Sequence, residues 1–122
     1  MKEGRTKNLI VRKTEDGIIE ISIFEGATLD ADEVKNCWNL VQAISNGLPQ
    51  KILFDGRKNY HVTVSARKAA AEIAPENLQV AVVTDRVLTR VVFRMFVKVQ
   101  KPKFPIKMFA QYEPAREWLR SN

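Results

Sequence analysis

Near the start of the chain apolar residues recur at every second position, and later the period changes. Ile19, Ile21 and Ile23 alternate with Glu20 and Ser22, the pattern of a half-buried strand over 18–24. An earlier strand over 7–13 is centred on Leu9, Ile10 and Val11. Thr14-Glu15-Asp16-Gly17 lies between the two, and Asp-Gly signals a tight hairpin because Gly accepts positive φ. Residues 1–6 are expected to fray.

Helical periodicity follows. Val34, Cys37, Trp38, Val41 and Ile44 form one stripe of a helix predicted over 29–46. Thr28 or Asp30 caps it, Asp30 with Glu33 makes a variant capping box, and Asn46-Gly47 ends it before Pro49. Ile52, Leu53 and Phe54 form an unbroken apolar run in a strand over 51–55, which suits a central strand buried on both faces. Ser65 is the expected cap of a second helix over 66–74, stopped by Pro75. Another apolar strand spans 78–84. Asp85 is the expected cap of a third helix over 86–100, and Ile106 to Phe109 is a last strand. Glu113-Pro114 opens a fourth helix, whose apolar face is Ala115, Trp118 and Leu119.

This order predicts one α/β domain over 1–122. An N-terminal β-hairpin precedes alternating βα units, giving a mixed, mostly parallel five-stranded sheet with four helices. A chain of 122 residues is long enough to bury a core without disulfides or metals. No apolar run reaches the ~20 residues of a membrane span. Cys37 is the single cysteine, so no disulfide forms within the chain, and a reducing cytoplasm is the expected setting.

Charge sharpens the picture through its distribution. The net charge is +6, with a pI near 9.7. Seven cations and no acid fall between Arg86 and Tyr112, whereas Glu25 to Glu33 holds four acids and no cation. In the third predicted helix Arg86, Arg90, Arg94 and Lys98 recur every four residues as a basic stripe. Val87, Leu88, Val91, Val92, Met95 and Val99 are expected to face the sheet, and Phe93 and Val97 fall beside the stripe. That combination reads equally as a solvated basic face or as a contact surface for a partner, a second copy or a membrane.

Chemistry is sparse. One His (His61, in a predicted loop) and one Cys cannot assemble a zinc set. The carboxyl ends of the two buried strands read Asp55-Gly56-Arg57 and Thr84-Asp85-Arg86. Parallel strands would bring both Asp-Arg pairs to one sheet edge, where ligands of open α/β sheets bind. Asp55, Arg57, Asp85 and Arg67 would line that edge, with Ser65 and His61 nearby. Helix capping and surface ion pairs account for the same residues and weigh about twice as heavily. No Gly-rich phosphate loop accompanies either strand.

Three landmarks carry a family resemblance: Leu53-Phe54-Asp55-Gly56-Arg57, the helix start Ser65-Ala66-Arg67, and the tail from Met108 to Leu119 with its Ala115-x-x-Trp118-Leu119 helix. Together with the element order they resemble the STAS, or SpoIIAA-like, superfamily, and within it the short stand-alone bacterial members. The resemblance covers nearly the whole chain and marks topology more than chemistry. In anti-sigma-factor antagonists of that superfamily a phosphorylatable Ser or Thr closely follows an Asp at the end of the third strand. This chain has Asp55-Gly56-Arg57-Lys58 there, and its nearest serine is Ser65.

The expected function is therefore a non-enzymatic STAS-like regulatory or protein-interaction module without a phosphoserine switch and without a cofactor. It is expected to be a homodimer, with contacts through Arg86, Arg90, Phe93, Arg94, Val97 and the Asp55 edge. The alternative is a carrier of a small ligand or lipid, because some SpoIIAA-like relatives share their fold grouping with lipid-binding domains. Nucleic-acid binding ranks below both, since aromatics are not interleaved with the cations.

Overall fold

In the computed structural model, the residues described are 2–46, 50–72, 78–87, 90, 91, 94, 95, 98 and 104–121. Six strands form one sheet in the order β1-β2-β3-β5-β7-β8. They are β1 (Glu3–Arg5), β2 (Leu9–Lys13), β3 (Ile18–Ile23), β5 (Gln50–Asp55), β7 (Leu78–Val83) and β8 (Ile106–Phe109). The first three pair antiparallel; β3, β5, β7 and β8 pair parallel. A separate parallel pair joins β4 (Ala27–Leu29) to β6 (Tyr60–Val62). Three helices are delimited among the described residues: α1 (Ala31–Ser45), α2 (Val64–Glu72) and α3 (Tyr112–Ser121).

The hairpin turns as its sequence requires, with Gly17 at φ +84°. The mixed, mostly parallel α/β plan holds, and three short strands are additions to it. Residues 3–5 are paired with β2 and do not fray. Gly4 lies close to α1: a Cβ there would stand 2.7 Å from Leu40 Cδ2, and Leu40 would have to shift. His61 lies in β6 and not in a loop.

Helix starts differ by a residue or two from expectation. Asp30 caps α1, its Oδ1 accepting from Glu33 N at 2.8 Å, so the helix begins at Ala31. Thr63, not Ser65, takes the capping role for α2: its Oγ1 accepts from Ala66 N at 3.1 Å. Val87, Arg90, Val91, Arg94, Met95 and Lys98 are helical, as predicted for the third helix; its remaining positions lie outside the described residues. The Arg86 carbonyl accepts from Arg90 N at 3.0 Å, which puts Asp85 one residue before the cap expected of it.

The sheet has a core on each face. On one, Val11, Ile19, Ile21, Ile52, Val80 and Val82 pack with Val41 and Ile44 of α1. On the other, Ile18, Leu53, Ala81 and Val83 pack with Ala115 and Leu119 of α3. Leu53 and Ala81 are directly paired in register and fully buried. The unbroken apolar runs of β5 and β7 follow from burial on both faces. Arg116 fastens α3 to the hairpin, donating to Asp16 and Glu20, while Tyr112 Oη also donates to Glu20.

The third helical stretch departs from its expected orientation. Val87, Val91 and Met95 are 73%, 44% and 60% exposed. They face solvent, not the sheet. The sequence from Val87 to Val99 is apolar around most of a helix, more than one buried face can absorb. Half-buried Arg90 turns inward instead and donates from Nε to Thr84 O at 3.2 Å.

Candidate functional site: an apolar cavity with two unpaired polar atoms

Between the sheet, α1 and α2 lies a cavity of about 400 Å³. This falls within the ~300–1,000 Å³ typical of small-molecule sites. Its floor is sheet residues such as Ile21, Ile52, Val80 and Ile106; α1 contributes Cys37, Trp38 and Val41. Tyr60, His61 and Val62 of β6 form one wall, and Ala66, Arg67 and Ala70 of α2 another. The small pair β4–β6 therefore builds the site: it holds Leu29 and Val62 opposite each other in register, and both line the cavity.

Two polar side chains interrupt this apolar lining. Glu33, 7% exposed in the first turn of α1, uses Oε2 to accept from Thr6 Oγ1 at 3.1 Å and from Asn8 Nδ2. Thr6 Oγ1 in turn accepts from Leu9 N at 3.2 Å, so the network ties α1 to the start of β2. The other carboxyl oxygen, Oε1, is buried with no hydrogen-bond partner, as is Nε of Arg67. Among the described residues these are the two buried side-chain atoms left unpaired. Both residues line the same cavity. An orphaned buried polar group costs roughly 1–3 kcal/mol, so the pair marks where a bound group would satisfy the protein.

Cys37 lines the same cavity one helical turn from Glu33. Burial, followed by the nearby Glu33 carboxyl, pushes its thiol up to about 12. It serves as a small apolar lining residue.

The sheet edge assembles in part. β5 and β7 are parallel, so Asp55 and Asp85 end on one side. Asp55 is occupied by its own neighbour: Oδ1 accepts from Arg57 Nε at 2.9 Å and Oδ2 from Nη2 at 2.7 Å. The Arg57 guanidinium also lies 5.4 Å from the Tyr112 ring centroid. Burial pushes the Asp55 carboxyl up, but the hydrogen bonds from Arg57 outweigh it and hold it below the ordinary value. This is a bidentate ion pair open to solvent on the arginine side. Asp85 and Arg86 are exposed, and Asp85 reaches Arg57 only through its electrostatic field.

Arg67 and His61, expected at this edge, line the cavity instead. Ser65 is exposed in the first turn of α2, its hydroxyl 3.0 Å from Thr63 Oγ1. Arg90 and Arg94 are helical; Phe93 and Val97 lie outside the described residues. Glu33 was legible in the sequence only as a capping residue. The missed signal is its spacing: it precedes Cys37 by four and Val41 by eight, so a carboxyl stands on the apolar stripe of α1.

The fold is that of a SpoIIAA-like α/β domain. Over 95% of this chain it superposes on 99% of an uncharacterised protein of the DUF3478 family with a SpoIIAA-like fold from Shewanella loihica PV-4, with a TM-score of 0.65 and 15% identity. That likeness establishes the fold. Residues 12–122 match the family model described as a domain of unknown function, DUF7793, and the chain belongs to that family. No curated protein matches it. Among the described residues no helix is long and apolar enough to cross a membrane, and no group of three or more His, Cys, Asp and Glu is placed to hold a metal ion.

Proposed function

We propose that this domain binds a small amphiphilic molecule in the cavity between the sheet, α1 and α2, and works without chemical change to it. The observation that carries this reading is the coincidence of an apolar cavity of about 400 Å³ with the two unpaired polar atoms, Glu33 Oε1 and Arg67 Nε. The apolar lining takes a hydrocarbon or ring body. A polar end that donates to Glu33 Oε1 or accepts from Arg67 Nε–H suits the lining, as a primary amide, an alcohol or a protonated acid would. The mostly apolar lining supports a carrier or ligand-sensing role. The protein-contact reading, with a homodimer, is the alternative; Phe93 and Val97, two of its residues, lie outside the described residues.

The test is a titration with N-phenyl-1-naphthylamine, a dye that brightens in apolar surroundings, displaced by decanamide. The wild type is compared with Ala70→Phe. Ala70 is half-buried on the α2 wall, so a phenyl group there fills the cavity. Wild type should take up the dye and release it to decanamide. Ala70→Phe should bind neither and melt at an equal or higher temperature, because filling a void gains apolar burial. Dye uptake unchanged in the variant, or absent from wild type, refutes the site.

A further inference from the structure

The helical residues between 87 and 98 present a surface that the core leaves uncovered. Val87, Val91 and Met95 recur every four residues and are all exposed. At 100° per residue they span an arc of about 80°. Arg94 and Lys98, also exposed, fall at the edge of that arc and within it, with Arg90 beyond. One outward face thus combines a row of apolar side chains with a row of cations.

We infer that this face docks on an anionic lipid surface. Its two halves demand different things of a partner, negative charge and an apolar medium, and a bilayer interface with acidic headgroups supplies both at one depth. A symmetric contact between two copies of the face would set cations against cations. A head-to-tail contact with the chain's own acidic stretch, Glu25 to Glu33, would meet the charge and not the apolar row. There Glu25, Asp30 and Asp32 are exposed, while Ala27 and Leu29 are buried in the core. Seven cations and no acid between Arg86 and Tyr112 extend the positive field well past the helix. The three apolar residues would enter the headgroup boundary, and Arg94 and Lys98 would lie among the phosphates and carboxylates.

The experiment is co-sedimentation with vesicles of three parts phosphatidylcholine to one part phosphatidylserine, beside vesicles of phosphatidylcholine alone. Wild type should bind the anionic vesicles far more strongly, and less as salt rises. Arg94→Gln with Lys98→Gln should weaken binding by about 25-fold, from about 5-fold for each cation at an anionic surface. Val91→Ser with Met95→Ser keeps every charge and should weaken it by at least about 10-fold through lost apolar insertion. Both pairs are solvent-facing, so unchanged circular-dichroism melts are expected. No binding to anionic vesicles overturns the inference. So does equal binding by the serine variant, which would reduce the face to a diffuse positive field. Stronger binding to duplex DNA or to polyglutamate than to the vesicles also overturns it, by assigning the face to a nucleic acid or an acidic protein.

Discussion

Replacing Glu33 separates what its two carboxyl oxygens do. Oε2 holds Thr6 and Asn8; Oε1 is buried with no partner, on a residue that lines the cavity. Glu33→Leu removes the acceptor from two half-buried donors. Each costs about 1–3 kcal/mol when left unsatisfied, and partial exposure puts both near the lower end, so the loss is about 2–3 kcal/mol. For a domain of this size that lowers the melting temperature by roughly 10 °C. Glu33→Gln keeps an acceptor for Thr6 and Asn8 and puts an amide N–H₂ where Oε1 stood. Its stability should stay within about 1 kcal/mol of wild type, yet decanamide binding should fall. A hydrogen bond to a charged group is worth about 1.5–3 kcal/mol, a factor of at least about 10 in affinity. The assays are thermal melts by circular dichroism and dye displacement by decanamide. If Glu33→Gln destabilises as much as Glu33→Leu, Oε1 has a structural partner and the reasoning fails. If Glu33→Gln binds decanamide as wild type does, Oε1 does not meet the ligand.

Two further outcomes follow from the charge network. Arg116→Met leaves the half-buried Glu20 without its cation and frees α3 from the hairpin. A broken buried pair costs about 3–5 kcal/mol, less here because the site is partly open, so a loss of about 2–3 kcal/mol in urea unfolding is expected. The hydroxyl of Thr14, then Arg116, holds the Asp16 carboxyl down at about 2 from an ordinary 3.8. A depressed folded value stabilises above pH 3.8 and loses that contribution as pH falls through about 2. Acid unfolding of Asp16→Asn should therefore show a shallower fall than wild type over that window.

Those parts of the fold that rest on long local patterns were readable in advance. Alternation at Ile19, Ile21 and Ile23, the Asp16-Gly17 turn, and the unbroken runs of β5 and β7 each tie period to burial. The three-residue strands β1, β4 and β6 were not readable, because so few residues carry no period. They exist through pairing alone, and in β1 a side chain at Gly4 would make Leu40 shift. Val87, Val91 and Met95 departed from expectation for a different reason. Apolar and basic positions both recur every four residues there, and only tertiary contacts such as Arg90 to Thr84 decide which arc turns inward.

The site was less legible than the fold. Asp55 and Arg57 advertise themselves at a strand end and turn out to satisfy each other. The cavity is built from residues that read singly as ordinary core, and a void between them leaves no trace in the sequence. Of its polar markers, Arg67 was expected at the strand-end edge, and Glu33 had a ready local explanation as a capping residue.

Native mass spectrometry of protein incubated with decanamide tests the cavity most directly. The account predicts one retained decanamide on the 13.9 kDa wild-type chain and none on Ala70→Phe. Equal retention by both proteins, or by neither, would contradict it.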